Sequence, residues 1–187
     1  MSYFNSKIFN KSTNLDLRVH HVGEEICDPG HMFGPVIRGS FMIHYIYSGF
    51  GTYYFEDDNN IMSMRAGVKL KEGQFFLIWP GVAHSYVADD AHPWHYTWVE
   101  FSGAKAEKLL FECGLTRKNL IFTPTSESGA KEVIRKYFKT LLDKQIIEDA
   151  AILGNLYLLF NEFIKISSSK VSNNNDFDIK KYTLKKL

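Results

Sequence analysis

GQFFLIWPGVAHSYVADDAHPWHYTWVEFSG, residues 73–103, decides how the rest of the chain is read. A short apolar strand, Phe75–Trp79, runs into a Pro80-Gly81 turn. A second strand holds His84 and Tyr86, and a third brings Trp94, Tyr96 and Trp98. Strand side chains alternate faces with period two, so each of these sets forms a same-face row. Three large aromatics on one face suit a packed barrel core or a platform for a flat ligand.

Outward from this stretch, the chain from about Asp16 to Phe122 reads as strands. Leu17–Cys27, Phe41–Tyr47, Gly51–Glu56, Ile61–Met64, Val68–Leu70, Ala83–Val87, His95–Phe101 and Asn119–Phe122 join Phe75–Trp79 as candidates. Each is short and rich in β-branched or aromatic residues. Turn signals separate them, among them Ser48–Gly51, Asp57–Asn60, Glu72-Gly73 and Ala91–Pro93. Short strands at regular spacing predict a mainly β fold, most simply a jelly roll. One helix interrupts it, with Ser102 as N-cap, Ala104–Cys113 as body and Gly114 as the C′ residue.

After Pro124 the period changes to that of helices. Val133, Ile134, Tyr137, Phe138, Leu141 and Leu142 mark an amphipathic helix from about Ser128 to Lys144. A second helix, about Ile146 to Ile166, carries Ile147, Leu153, Leu156, Tyr157, Phe160 and Phe163 over more than one apolar stripe. Such a helix needs two contacts. Either it is buried between the barrel and its hairpin partner, or those six residues form a homodimer interface. Residues 167–176 read as a polar linker. The following FDIKKYTLKKL starts a basic helix without finishing it, so a C-terminal continuation is expected.

A chain of 187 residues with 45% hydrophobic content can bury a sizeable core. A net charge of +1 provides no general basic surface for nucleic acid or an anionic membrane. Cys27 and Cys113 have no CxxC spacing and read as free thiols in a reducing compartment. The N-terminus lacks the apolar core of a signal peptide, and no run approaches the ~18 apolar residues of a membrane helix. The reading is cytoplasmic, with no membrane partner.

Seven histidines invite a metal, yet no HxH pair occurs, and His20 and His21 point to opposite faces of a strand. No metal and no cofactor are expected. GxSxG elbows and phosphate-cradling loops are missing as well, so nothing demands an enzyme. The aromatic rows remain. Tyr86, Trp94, Tyr96 and Trp98 combine flat faces with polar edges, as sugars require, although core packing explains single rings equally well. Arg38, in GPVIRGSF, offers a fork of donors at a pocket mouth or is a solvated loop-edge residue. His44 and His84 are candidates for directional hydrogen bonds.

PGHMFGPVIRGSFMIHYIYSGFGTYYF, EGQFFLIWPGVAHSY and HPWHYTWVEFSG together resemble the N-terminal effector-binding domain of AraC/XylS-family transcription regulators, over roughly residues 16–166. The resemblance implies a cupin-like jelly-roll barrel followed by an α-helical hairpin. It divides the chain into an arm, 1–15, a ligand-binding barrel, 16–124, and a dimerisation hairpin, 125–166. Residues 167–187 would then be a linker and the start of a helix-turn-helix domain that binds DNA. Tyr86, Tyr96 and Trp98 match positions that line the sugar pocket of arabinose-responsive members, where Tyr96 stands in place of a histidine. Pro80, Gly81 and His84 resemble the second cupin metal motif, but the first motif is missing, which implies a metal-free site. The expected ligand is a mono- or oligosaccharide held by Arg38, His44, His84, Tyr86, Trp94, Tyr96 and Trp98. A metal-dependent cupin enzyme, an isomerase or oxygenase, is the alternative.

Overall fold

A computed structural model describes residues 2–9, 12–56, 67–124 and 130–168. The expected strand Ile61–Met64, the Asp57–Asn60 turn, the helix start at Ser128 and the 169–187 tail lie outside these residues. Ten strands are described: β1 (Tyr3–Ile8), β2 (Arg18–Ile26), β3 (Met32–Ile37), β4 (Phe41–Ser48), β5 (Phe50–Phe55), β6 (Val68–Lys71), β7 (Phe75–Ile78), β8 (Ala83–Ala88), β9 (His95–Ser102) and β10 (Ile121–Phe122). Three helices accompany them: α1 (Ala106–Glu112), α2 (Ala130–Leu142) and α3 (Asp149–Ser168).

The strands form two antiparallel sheets, ordered β1-β2-β9-β4-β7-β10 and β3-β8-β5-β6. They face each other as a cupin-like jelly roll. Phe76 of the first sheet packs against Tyr53 and Tyr86 of the second, at centroid separations of 4.7 and 5.7 Å. The next residue back, Phe75, must point the other way. It meets Phe163 of α3 at 4.6 Å, just as Phe101 of β9 meets Phe160 at 5.3 Å. The six-stranded sheet is therefore covered on both faces, by the opposite sheet and by the hairpin. That is why β4 and β7 read as continuous apolar runs rather than alternating ones.

Two strands differ from expectation. β3 lies where Gly30, Gly34 and Pro35 signal turns, and it absorbs Gly34-Pro35 as a register shift between Phe33 and Val36. β1 lies within the 1–15 arm and pairs with β2 along its whole length.

Helix termini shift too. Ser102 does not cap α1: it ends β9, and its Oγ lies 2.7 Å from Nε2 of His20. Instead, the amides of Ala104 and Lys105 donate to the carbonyls of Leu15 and Asp16, at 3.0 and 2.9 Å. Backbone from a distant segment thus fixes the approach to α1, whose N-cap residue, Lys105, makes no side-chain cap hydrogen bond. Gly114 has φ +76°, as a helix-ending C′ glycine needs. α3 starts at Asp149 rather than Ile146, because the Lys7 ammonium holds the carbonyls of Asp143 and Ile146 in the connection.

The hairpin's apolar surplus is resolved within the chain. Leu153, Leu156, Phe160 and Phe163 are buried against the sheet and α2. Each such side chain contributes about 1.5–3 kcal/mol of burial. They thus pack within the single chain, the first of the two readings of this helix. Ile147, Tyr157 and Leu158 stay exposed.

Candidate functional site

β2 and β9 build the interior of the barrel by cross-strand pairing. Gly23 sits opposite Trp98 and Glu25 opposite Tyr96, and the Cys27 amide donates to the Trp94 carbonyl at 3.1 Å. Only glycine suits position 23, since a Cβ there would collide with the Trp98 indole. Trp98 Nε1 donates to Nδ1 of His21 at 3.3 Å, and Phe4 of β1 covers the ring at 5.8 Å. Gly51 of β5 makes the same kind of room for Trp94, which is fully enclosed.

Around this wall the expected residues converge. The His44 ring stacks on Phe76 at 4.2 Å and meets Tyr86, Tyr96 and Trp98 at 5.6, 5.4 and 6.2 Å. Trp94 lies 6.0 Å from Tyr86 and 5.9 Å from Tyr96. Phe33 of β3, which sequence reasoning missed, stacks on Tyr86 and His84 and carries the Arg38 guanidinium over its ring at 5.4 Å. Arg38 is the least buried of the set and approaches Glu100 at 3.7 Å, with Ser40 bonded to the same carboxylate.

A directed hydrogen-bond chain runs along one side. Tyr96 OH donates to Oε2 of Glu25 at 2.7 Å, so Tyr86, 3.2 Å from the Tyr96 oxygen, is the donor to it. Burial pushes both phenols above their ordinary range and keeps their protons in place. Burial holds His44 well below the usual imidazole value, reinforced by repulsion from His84 and Arg38. His84 is lowered by burial as well. Both imidazoles are therefore neutral at pH 7 and able to accept as well as donate.

Among the described residues, several polar atoms of this set have no hydrogen-bond partner: His44 Nδ1, His84 Nε2, Arg38 Nε and Trp94 Nε1. The Val82 carbonyl, 3.3 Å from His84 Nδ1, assigns the proton there and leaves Nε2 as an acceptor. Buried polar atoms without partners are rare, and each asks for a ligand or water. Chemically, the interior combines flat apolar faces with separate donors and acceptors.

Sequence reasoning also missed Phe76, Tyr53, His21, Glu25, Cys27 and His31. FFLI is apolar at every position, so nothing in it singled out Phe76. Glu25, Cys27 and His31 gather where the chain leaves β2 and turns at Asp28–His31, and their ligand-type atoms lie within 4.8 Å of one another. Burial pushes the Cys27 thiol up to about 12.

The family described as "AraC-like ligand binding domain" matches residues 18–160. The Msm operon regulatory protein of Streptococcus mutans is 31% identical over 154 residues, covering 81% of this chain and 52% of that protein. The raffinose operon transcriptional regulatory protein RafR of Pediococcus pentosaceus is 27% identical over 158 residues, covering 83% and 54%. The chain thus spans about half the length of these relatives. Among solved structures, YhaK of Escherichia coli is 16% identical, with a TM-score of 0.44 over 65% of this chain and 49% of that one. A Bacillus subtilis oxalate decarboxylase variant is 14% identical, with a TM-score of 0.39 over 65% and 28%. By the family match across most of its barrel and hairpin, the chain belongs to the AraC-like ligand-binding domains.

Proposed function

We propose that the chain is the effector-sensing and dimerisation part of a transcription regulator, and that its effector is a mono- or oligosaccharide bound inside the barrel. One observation carries the reading: among the described residues, unpartnered atoms on His44 and Trp94 lie among the rings of Tyr86, Tyr96 and Trp98, with those of His84 and Arg38 on residues that pack against Phe33 beside Tyr86. Sugars present C–H faces to aromatic rings and hydroxyls to such donors and acceptors. The relative named for a raffinose operon makes raffinose the first sugar to try. DNA would be bound by a separate C-terminal domain, and the whole protein would work in the cytoplasm.

β1 offers a route for the signal. Its Phe4 touches Trp98 on the barrel side, while Lys7, on the opposite face, bonds carbonyls of the α2–α3 connection. A ligand that moves Trp98 would bias β1 and hence the hairpin. Its regulatory effect is bounded by its differential affinity for the two arrangements. Two copies would meet through Ile147, Tyr157 and Leu158, the exposed apolar residues of the hairpin.

The test is a thermal-shift screen of mono- and oligosaccharides, raffinose included, with and without a chelator. A sugar at a hundred times its dissociation constant adds about 2.7 kcal/mol, or roughly 5–10 °C for a chain of this size. A shift with one sugar class supports the reading. The same melting temperature with every class overturns the sugar assignment.

A further inference from the structure

A metal centre can be assembled beside the aromatic cluster, from residues that the sugar reading does not use. Glu25 lies in β2 and Cys27 directly follows its last residue, with its amide still bonded to the Trp94 carbonyl, so extended alternation puts both side chains on one face. The chain then turns through Asp28–His31, with Gly30 at φ +64° and the His31 amide bonded to the Asp28 carbonyl at 3.1 Å. That turn carries the imidazole back over the strand end. His31 Nε2 lies 3.5 Å from Glu25 Oε1, and the Cys27 sulfur completes a trio within 4.8 Å.

The backbone holds these positions independently. Glu25 is in the ladder with Tyr96, the Cys27 amide bonds the Trp94 carbonyl, and the His31 carbonyl accepts from the Ala88 amide at 2.9 Å. Sites supported on strands and fixed turns keep their ligands oriented. The two oxygens of Glu25 also divide their roles. Oε2 accepts from the Tyr96 hydroxyl at 2.7 Å, which orients the carboxylate and leaves Oε1 facing His31. A hydroxyl that orients a ligating carboxylate is a recurrent outer-shell arrangement.

We propose that Glu25, Cys27 and His31 bind a borderline-soft divalent ion of the zinc class, with a fourth position open. One sulfur, one nitrogen and one oxygen ligand suit zinc or cobalt and exclude calcium and magnesium, which take oxygen ligands. Bonds of about 2.0–2.3 Å set tetrahedral ligand atoms roughly 3.5 Å apart. The Glu25–His31 pair already has that separation, and the Cys27 sulfur lies within 4.8 Å of both atoms. The ion replaces the Cys27 proton, so binding releases a proton. Bound there, it draws the Glu25 carboxylate, and with it the Tyr96 hydroxyl, into a single arrangement at one end of the barrel.

The whole 187-residue chain is stripped with chelator and titrated with Co²⁺, then with Zn²⁺ in competition, with no sugar present. The expected result is a sulfur-to-cobalt charge-transfer band with four-coordinate visible absorption, displaced by Zn²⁺ but not by Mg²⁺ or Ca²⁺. Cys27→Ser removes the band, and Cys113→Ser leaves it unchanged. His31→Ala, at a partly exposed turn position with little cost to folding, weakens Zn²⁺ binding by more than about tenfold, the scale on which even outer-shell partners act. A cobalt spectrum without charge transfer, or His31→Ala with wild-type Zn²⁺ affinity and a native circular dichroism spectrum, overturns the proposal.

Discussion

The Trp98 indole lies directly over Gly23, across the β2–β9 ladder, and leaves no space for a methyl group. Gly23→Ala should therefore displace the ring rather than simply stiffen the strand. Overpacking of this kind costs about 1–3 kcal/mol. Denaturant unfolding should report that loss, with a shifted tryptophan emission, and effector affinity should fall with it. Wild-type stability and emission together would show that the ring does not depend on this gap.

Trp98 and Trp79 separate binding from folding. Trp79 packs edge-on against Phe41 at 5.0 Å, away from the ring cluster around His44. Trp79→Ala should cost stability, by less than the ~3–5 kcal/mol of a fully buried ring because Trp79 is only partly buried, while leaving the effector constant of the folded fraction intact. Trp98→Ala should weaken effector binding more than Trp79→Ala does. Equal constants for folded wild type and Trp98→Ala would remove Trp98 from the site.

Acid should destabilise the barrel through its histidines. His44 and His84 have folded-state values held down chiefly by burial, and His20 and His21 are lowered by burial too. The unfolded imidazoles titrate near about 6.5. Their contribution is thus complete above that value and is lost as pH falls, because the unfolded chain takes up protons that the fold refuses. Unfolding free energy between about pH 5 and pH 8 should rise with pH and level off. His44→Phe should flatten the acid side, and an unchanged slope would exclude His44 as a source. Glu24, lowered by its hydrogen bond from His95, adds a loss only at more acidic pH.

The hairpin offers a contrast between surface and core. Leu158→Glu, at a 46% exposed position, should leave stability within about 0.5 kcal/mol but turn a dimer into a monomer by light scattering. Phe160→Ala, whose ring packs on Phe101, should instead cost about 3–5 kcal/mol. A wild-type chain that stays monomeric at high concentration would remove the interface.

Much of the fold was legible locally. The period-two rows of β8 and β9 and the 3.6-residue period of α2 need only neighbours in sequence, so they survive as read. β3 was hidden because Gly34 and Pro35 are turn residues by propensity, and only pairing with β8 makes them a bulged strand. The α1 cap was misassigned to Ser102 for a related reason: Lys105 takes the N-cap position, and the segment leading into the helix is held by bonds from Ala104 and Lys105 to the carbonyls of Leu15 and Asp16, far upstream.

By itself the sequence determined which residue types could share a face, and so the aromatic wall of Trp94, Tyr96 and Trp98. Tertiary structure alone decided what stands against that wall. Strand register is a non-local choice, made when two faces of a sheet find their covers. That register set Gly23 under Trp98, and it set Glu25, with its Cys27 and His31 neighbours, beside Tyr96. It also turned Phe75 to the hairpin and Phe76 to the barrel, which no periodicity in four apolar residues could specify.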